Sequence, residues 1–360
     1  MKIAIYTIAL NEEQFVDPWY ESAKEADYLL IADTGSTDNT VALAKKRGIT
    51  VTDVFVKPWR FDIARNAALA ALPADVDYCI ALDMDEVLLP GWRAELENAL
   101  EHGWTRPRYQ YTWNWNEDGT PGLTYGGDKI HTRHGYRWKH PVHEVAVSYG
   151  GFEEVQGWVA LEIHHHADNT KTRSQYFPLL KMAVDEDPYD DRNAFYYARE
   201  LYFHGMYEEA TKEFKRHLDL PRAKWPPERA ASMRYLGKIN KDEAERWFIR
   251  AIEQAPGRRE PWVDLSKHYY EAQDWEKCYE SALTALEIKE KPLEYLCEAE
   301  AWGAAPHDYA AISAYNLKKY GEAAVHGHKA VELNPSEQRL HNNLAYYEEG
   351  LRTFVITSSS

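Results

Sequence analysis

The sequence I-A-L-D-M-D-E, residues 80–86, ends a short apolar run in three carboxylates, those of Asp83, Asp85 and Glu86. A run of this kind predicts a buried strand that delivers its acids to the edge of a sheet. Open α/β sheets bind their ligands at that edge. Two acids one residue apart can share a hard divalent cation, which can neutralise a diphosphate. The alternative is a strand end whose acids are merely solvated.

Composition narrows the class of protein. The 360 residues exceed one typical domain, and 44% hydrophobic residues suffice for packed cores. A mean hydropathy of -0.63 excludes a membrane bundle, and the apolar residues 3–10 are too few for a membrane span or a signal core. Three distant cysteines suggest no disulfide framework. We therefore expect a cytoplasmic protein with no membrane partner.

The net charge of -16 bears on the partner class, because nucleic-acid binding needs a broad basic face. Nucleic acid is accordingly the less favoured partner. A basic cluster lies at residues 129–140, inside the acidic first half of the chain. It suits a diphosphate better than a duplex, and a solvated hairpin is the alternative.

Strands and helices alternate through the first hundred residues. Residues 2–10, 28–32 and 49–55 read as strands, and the segments after them read as helices. This order is the βαβ pattern, which predicts a parallel sheet with its loops gathered at one edge. After the second strand, Gly35 permits a tight turn before the next helix, whose N-terminus favours an anion. A capped helix without a ligand is the alternative.

Four motifs within this pattern carry a family resemblance. They are A-L-N-E-E (9–13), A-D-T-G-S-T-D-N-T (32–40), F-D-I-A-R-N (61–66) and L-D-M-D-E (82–86). In this order and spacing they resemble the family-two glycosyltransferases of the GT-A fold, especially the branch that carries tetratricopeptide repeats. The resemblance covers about residues 1–170. It implies a GT-A domain, a UDP-linked nucleotide-sugar donor across the strand ends, and Mn²⁺ or Mg²⁺ bridging its diphosphate to the D-x-D motif.

The resemblance also implies individual roles. The residues expected to bind the donor are Thr7, Asn11, Asp33, Thr34, Arg65, Asp83 and Met84. Thr7 and Asn11 would border the nucleobase, and Asp85 would hold the metal. Thr34 stands where many members have a second carboxylate, which leaves UDP or another nucleotide open.

A strand of alternating aromatics follows, in R-Y-Q-Y-T-W-N-W (108–115). Alternation puts its four rings on one face. They either pack the sheet on its own helices or line an acceptor groove, where flat rings can stack on a sugar or peptide.

Candidate catalytic and metal residues come late in this half. The segment W-K-H-P-V-H-E (138–144) resembles a family region in which glycine is common at the position of His140. Inverting transfer, the expected outcome, needs a carboxylate base, and Glu144 is the candidate ahead of Asp128. A strand at 158–163 then ends in three histidines, and imidazole suits Mn²⁺. Because the family has a late histidine ligand, we expect His164 or His166 to bind metal, with His143 a further candidate and an exposed histidine run the alternative.

The remaining residues, 171–355, show an internal repeat. Ala210, Ala244 and Cys278 are each separated by 34 residues, and Ala323 follows after 45, with the insertion between 290 and 308. This period predicts a tetratricopeptide-like all-α domain. Its concave face is expected to bind a peptide or another chain. The alternatives are a structural buttress and a dimerisation surface, which would make a homo-oligomer.

Three functions remain compatible with the sequence. The first is a glycosyltransferase that moves a hexosyl or related sugar to a protein, peptide or glycan acceptor. The second is a catalytically inactive repeat scaffold that binds a protein partner. The third is sugar transfer to a modified nucleic-acid base. The intact acids favour the enzyme, because crowded carboxylates cost stability and a decayed site would lose them.

Overall fold

The computed structural model describes residues 1–168 and 174–358. The chain forms two compact units, Met1–Glu186 and Asp187–Ser360. The first is a mixed α/β unit and the second is helical throughout its described residues, which confirms the expected fold class. The domain boundary expected at residue 170 lies outside the described residues. None of the helices that the structure describes has the length and apolar character to cross a membrane.

The first unit contains two sheets, a hairpin and the helices that cover them. Its described strands are β1 (Ile3–Ala9), β2 (Tyr28–Asp33), β3 (Thr50–Asp53), β4 (Tyr78–Ala81), β5 (Glu86–Leu88), β6 (Arg106–Thr112), β7 (Thr124–Gly127), β8 (Ile130–Thr132), β9 (Tyr136–Lys139), β10 (Val145–Ser148) and β11 (Gln156–His165). Its described helices are α1 (Val16–Ala23), α2 (Thr40–Lys46), α3 (Phe61–Ala70), α4 (Trp92–Glu101) and α5 (Tyr176–Glu186).

The first sheet has the strand order β3-β2-β1-β4-β8. Strands β1 to β4 are parallel, and β8 joins the edge antiparallel to β4. The chain moves from β1 to β2 and β3 on one side and returns to the other side of β1 for β4. Such a reversal makes a crevice at the carboxyl ends of the central strands, which is where ligands bind in open α/β sheets.

The second sheet places the histidine run beside the acidic motif. Its order is β5-β11-β6-β7, with β11 antiparallel to β5 and parallel to β6. Strand β5 begins directly after the D-x-D acids, and the register pairs His165 with Glu86 and His164 with Val87. The end of β11 therefore reaches the end of β4 although the two are some 80 residues apart in sequence. Strands β9 and β10 form a separate hairpin.

The second unit consists of successive helix pairs. Its described helices are α6 (Asp191–Phe203), α7 (Tyr207–Asp219), α8 (Pro226–Ile239), α9 (Ala244–Gln254), α10 (Arg259–Glu271), α11 (Trp275–Glu287), α12 (Ala299–Trp302), α13 (Ala305–Asn316), α14 (Tyr320–Leu333) and α15 (Gln338–Ser358). The repeat positions Ala210, Ala244, Cys278 and Ala323 are all buried, each in the second helix of a pair. Their small side chains let the paired helices approach closely, which confirms the tetratricopeptide-like repeat.

Candidate active site

Arg65 joins two acids that are far from it in sequence. It lies on the buried face of α3 with only 4% of its surface exposed. Its Nη2 donates to Oδ1 of Asp83 at 2.7 Å and its Nε to Oε1 of Glu144 at 2.5 Å. Its Nη1 is buried without a protein partner among the described residues. A guanidinium with a spare donor beside two acids can still receive an anionic or carbonyl oxygen of a ligand.

Lys129 holds the opposite side of Asp83. Its Nζ lies 2.5 Å from Oδ2 of Asp83 and 2.7 Å from Oε1 of Glu86, which also accepts from the hydroxyl of Tyr111 at 2.7 Å. Burial alone would raise the pKa of Asp83, but the charges of Arg65 and Lys129 outweigh it and hold that pKa well below its usual range. Burial raises the pKa of Glu86 despite the opposing charge of Lys129. Asp83 is therefore a fixed anion between two cations.

Asp33, the last residue of β2, organises the loop after it. Its Oδ2 accepts from the backbone N–H groups of Gly35 and Ser36, at 3.1 and 3.0 Å. Gly35 has φ +112°, a conformation that glycine adopts without strain. The other oxygen, Oδ1, is buried and has no partner in the part of the chain that the structure describes. An unsatisfied buried carboxylate oxygen is costly, so this atom is suited to accept a ligand's N–H or O–H.

The other residues expected at the donor mostly support the loops. The hydroxyl of Thr34 and the backbone N–H of Thr34 both donate to the carbonyl of Ala9, and Oδ1 of Asn11 accepts from the N–H of Thr37. Thr7 is wholly buried and its hydroxyl donates to the carbonyl of Ile8. Met84 is buried within the main core of the unit. Their donor-binding roles stay predictions.

Asp85 has a histidine beside it, but a different one from those expected. Nε2 of His165 lies 3.2 Å from Oδ2 of Asp85, whereas His166 offers Asp85 only a backbone bond, from its N–H to the carbonyl oxygen. His164 faces Glu162 instead, at 3.4 Å. Alternation along β11 does put His164 and His166 on one face, but the register of β11 on β5 turns the opposite face, that of His165, towards the acidic motif.

The pair Asp85–His165 has the chemistry of a metal site. Nδ1 of His165 is 2.8 Å from the carbonyl oxygen of Trp113, which can only accept, so Nδ1 carries the proton. Metal-binding imidazoles are usually oriented by such a bond. Nε2 then faces a carboxylate oxygen, and only a proton or a cation can lie between them. Burial would lower the pKa of His165, but the hydrogen bond and charge of Asp85 outweigh it and raise that pKa.

The separation of the two atoms also fits a hard cation. Adjacent ligands of an octahedral ion with bonds of about 2.1 Å lie about 3 Å apart, close to the 3.2 Å between His165 Nε2 and Asp85 Oδ2. Within the described residues, no group of three or more His, Cys, Asp or Glu side chains is placed to hold a metal ion. The protein thus offers two ligands here, and a hard cation takes six or more oxygen-rich ligands in total.

Asp128, the second candidate base, lies outside the cluster around Arg65. Its Oδ2 accepts from Nη2 of Arg106 at 3.1 Å, and Arg106 also bonds Glu154 at 3.1 Å. His143, the further metal candidate, packs edge-on against Tyr176 with 5.6 Å between ring centroids. It has φ +49° and follows a bend, so residues 140–144 are no strand, and the alternation expected of His143 and Glu144 does not apply.

Some side chains of the basic cluster and of the aromatic strand lie in the core, and others lie beside the candidate site. Of the cluster, Lys129 reaches the acids, while His131 is buried and Arg133 donates to the carbonyls of Leu72 and Pro73. Of the aromatics, Tyr109 and Tyr111 are buried, whereas Trp113 stacks on His165 with centroids 4.4 Å apart. Lys129 and His165 are the site residues that sequence reasoning missed, although the basic cluster and the histidine run pointed to their neighbourhoods.

Comparison with known proteins finds a family match within the first unit. Residues 4–148 match the family model of Glycosyl transferase family 2. An uncharacterized glycosyltransferase of Rickettsia conorii is 32% identical over 97 residues, which are 27% of this chain and 33% of that protein. The match thus spans about a third of the length of that relative.

Two solved structures are among those with some similarity to parts of the chain. Glucosyl-3-phosphoglycerate synthase from Mycobacterium tuberculosis, in complex with Mn²⁺, UDP-glucose and phosphoglyceric acid, is 27% identical with a TM-score of 0.26 over 31% of this chain and 44% of its own. PilF of Pseudomonas aeruginosa is 15% identical with a TM-score of 0.38 over 47% of this chain and 72% of its own. The family match lies within the first unit, whose architecture is GT-A-like, and a tetratricopeptide-like repeat unit follows it.

Proposed function

We propose that this chain is a metal-dependent glycosyltransferase that moves a sugar from a UDP-linked donor to a protein, peptide or glycan acceptor with inversion. The observation that carries the proposal is the convergence of Asp33, Arg65, Asp83 and the Asp85–His165 pair at the carboxyl ends of β2 and β4. These strands flank β1 at the reversal of strand order, where nucleotides bind in open α/β sheets. Asp33 and Arg65 each keep one unpartnered polar atom, and the Asp85–His165 pair has a carboxylate facing an imidazole nitrogen.

The nucleoside is assigned to Asp33 and Arg65. The unpartnered Oδ1 of Asp33 can accept from a base N–H or a ribose hydroxyl, and the unpartnered Nη1 of Arg65 can donate to a base carbonyl or a phosphate oxygen. Asp83, held by Arg65 and Lys129, presents a fixed negative charge beside them. Two buried groups with opposite hydrogen-bonding character thus select a ligand that carries both a donor and an acceptor.

Asp85 and His165 would hold Mn²⁺ or Mg²⁺. The ion supplies charge neutralisation to the departing diphosphate. The protein's part is to orient the ion's ligands: Trp113 fixes the tautomer of His165 through its carbonyl, and stacks on the same ring. Diphosphate oxygens and water would complete the six or more ligands that these ions take.

Glu144 is assigned the proton transfer. In an inverting reaction the acceptor oxygen forms a bond to the anomeric carbon as the bond to the diphosphate breaks, and the acceptor's proton must move to a base. Glu144 shares Arg65 with Asp83, which fixes its carboxylate next to the proposed donor site. Asp128 is held by Arg106 away from this cluster, which supports Glu144 over it.

Cysteine chemistry supports a reducing compartment such as the cytoplasm. Cys79, Cys278 and Cys297 are all buried free thiols. Buried thiols without disulfides are typical of proteins kept in a reducing environment.

Calorimetry with UDP tests the proposed site. With Mn²⁺ present, UDP should bind the full chain, and EDTA should weaken the binding at least about ten-fold, because the ion joins the diphosphate to Asp85. A panel of GDP, CDP and dTDP in the same buffer checks the choice of nucleotide. Affinity for UDP that is unchanged by EDTA would remove the metal from the proposal.

A further inference from the structure

The insertion in the helical repeat is an irregular segment that lies across neighbouring repeats. Residues 288–298 have no regular secondary structure, and the short helix α12 completes the connection between α11 and α13. The first helices of successive pairs touch one another, α6 with α8, α8 with α10 and α10 with α13. The side chains that hold the segment come from this row of first helices and the turns before them.

Tyr295 of the segment is held as an aromatic anchor. Its ring stacks on Tyr196 of α6, with 6.0 Å between centroids and 18° between planes, and lies 5.7 Å from Trp225. Its hydroxyl donates to Oε1 of Glu228 at 2.5 Å. Glu228 is buried in α8. Two aromatic rings and one hydrogen-bond acceptor, contributed by two repeats, thus hold one tyrosine side chain.

Glu298, three residues later, is held as an anion. Its two oxygens accept from Nη1 and Nη2 of Arg234 at 2.7 and 2.8 Å, a bidentate pairing. Arg234 is 5% exposed, and its Nε bonds Asp264, which also pairs with Lys238 at 3.2 Å. Burial would raise the pKa of Glu298, but the charge of Arg234 outweighs it and lowers that pKa to about 2. Without Glu298, Arg234 would keep Asp264 on its Nε but lose the carboxylate on Nη1 and Nη2, which leaves a position for a carboxylate.

The backbone of the segment is also held by a hydrogen bond. Oε1 of Glu260 accepts from the backbone N–H of Glu298 at 3.1 Å and from the indole N–H of Trp302 at 2.8 Å. Glu260 is buried in α10 with 1% exposure. Beside this contact lies a cavity of about 250 Å³ whose wall carries both cations and acids, Arg234, Lys238, Lys241 and Lys267 with Glu260, Asp264, Glu271, Glu298 and Glu300. Side chains from separate repeats therefore contact a backbone N–H group, an aromatic ring and a carboxylate of a segment that turns between Glu294 and Cys297.

We propose that this surface is a peptide-binding groove that the chain's own residues 290–302 occupy, and that its partner is a peptide that turns at a tyrosine and carries a glutamate three residues later. The chemistry of the occupant identifies that partner. A stacked tyrosine, a backbone N–H accepted by Glu260 and a carboxylate clamped by Arg234 are what such a peptide would present. This goes beyond the proposed transfer reaction and does not depend on it.

A free peptide would have to compete with the chain's own segment, which is covalently attached at both ends. A segment joined to the protein at both ends acts at an effective concentration of about a millimolar, so a free peptide binds the unmodified chain weakly. Weakening the contacts of the tethered segment increases the fraction of chains whose groove is open. The apparent affinity for a free peptide rises in proportion to that fraction. Glu298→Ala removes the bidentate pair from the segment and leaves every groove side chain in place.

The test uses a fluorescent peptide of residues 290–302 that carries Cys297→Ser. By anisotropy it should bind the full-length Glu298→Ala chain at least about ten-fold more tightly than the unmodified chain. The exposed Glu290→Ala chain, altered in the same segment, should behave as the unmodified one. A peptide that also carries Glu298→Gln should bind about ten-fold more weakly, because a neutral amide cannot replace the carboxylate on Arg234.

Cys297 gives a second measurement that needs no altered chain. Its thiol is 3% exposed within the segment, so a thiol reagent reaches it only when the segment leaves the groove. A competing peptide should accelerate its modification in proportion to peptide concentration, with Cys79 and Cys278 as buried internal controls. This measurement decides if Glu298→Ala does not fold. No saturable binding to a folded Glu298→Ala chain at about 1 mM peptide, or equal binding of the Glu and Gln peptides, overturns the proposal.

Discussion

The Nε atom of Arg65 lies 2.5 Å from Oε1 of Glu144, so a helix near the start of the chain is bonded to a residue 79 positions later. Removing the guanidinium leaves Glu144 and Asp83 as crowded, partly buried carboxylates. Arg65→Ala should therefore reduce the free energy of unfolding of the first unit by about 3–5 kcal/mol. Native-state hydrogen exchange of the β1 and β4 amides measures it. Arg47→Ala, which removes exposed pairings with Asp17 and Glu21, should change it far less, because solvent screens such pairs.

Glu144→Gln separates a proton-accepting role of Glu144 from a structural one. A glutamine still accepts from Arg65 but cannot take the acceptor's proton. UDP affinity should stay within a few-fold while transfer falls roughly 10²–10⁴-fold. Asp128→Asn, at a carboxylate bonded to Arg106, should leave most transfer intact. Single-turnover rates with a melting curve distinguish the cases, because a purely structural Glu144 would lower the melting temperature with little effect on the rate.

The metal assignment predicts different effects for three adjacent histidines. Asp85→Ala should abolish the enhancement of UDP binding by Mn²⁺, and His165→Ala should weaken it at least about ten-fold, the usual range for metal-site substitutions. His166→Ala, at an exposed side chain, should leave the enhancement nearly unchanged. Titration of Mn²⁺ at fixed UDP gives the comparison. A larger loss from His164→Ala or His166→Ala than from His165→Ala would return the role to the residues first expected.

His131 makes the first unit sensitive to acid. It is fully buried against Tyr6, and burial lowers the pKa of His131 from 6.5 to about 4. The unfolded chain takes up a proton below pH 6.5 that the folded chain refuses, so stability falls as the pH drops from 6.5 towards 4. Between pH 7 and 5 the loss is about 2 kcal/mol. Urea unfolding of the full chain followed through the first unit should show it.

Two substitutions isolate that histidine. His131→Gln, which cannot titrate, should remove most of the difference between pH 7 and 5 in the first unit. His102→Gln, at an exposed histidine of the same unit, should leave it unchanged. An equal pH dependence in the His131→Gln chain would assign the acid sensitivity to other groups.

Local pattern predicted the elements of the first sheet and placed the candidate site residues at one edge of it. Apolar runs ending in polar loops gave β1, β2 and β4, and parallel strands bring such ends to one edge, so Asp33 and the D-x-D acids meet there. The 34-residue spacing of Ala210, Ala244 and Cys278 predicted helix pairs, because a close helix approach needs a small residue. Both features depend on the period of the sequence, which is visible without coordinates.

Contacts that depend on how distant segments of the chain pair could not be predicted from the local sequence pattern. The choice of His165 over its neighbours depends on how β11 pairs with β5, and a shift of one residue would reverse it. His140 and His143 have φ +86° and +49°, so the segment before Glu144 bends where alternation assumed a strand. The positive φ of His140 also explains why glycine suits that position. Likewise, the insertion showed as a break in the repeat period, and only the structure shows that its side chains contact α8 and α10.

Hydrolysis of nucleotide sugars tests the central claim most directly, because water can take the place of the acceptor as the nucleophile at the anomeric carbon. The full chain, incubated with UDP-linked sugars and with GDP-, CDP- and dTDP-linked ones, should cleave at least one UDP-sugar in the presence of Mn²⁺. That activity should be lost with EDTA and in the Asp85→Ala chain. A folded chain that neither binds nor cleaves any nucleotide sugar with Mn²⁺ present would contradict the assignment.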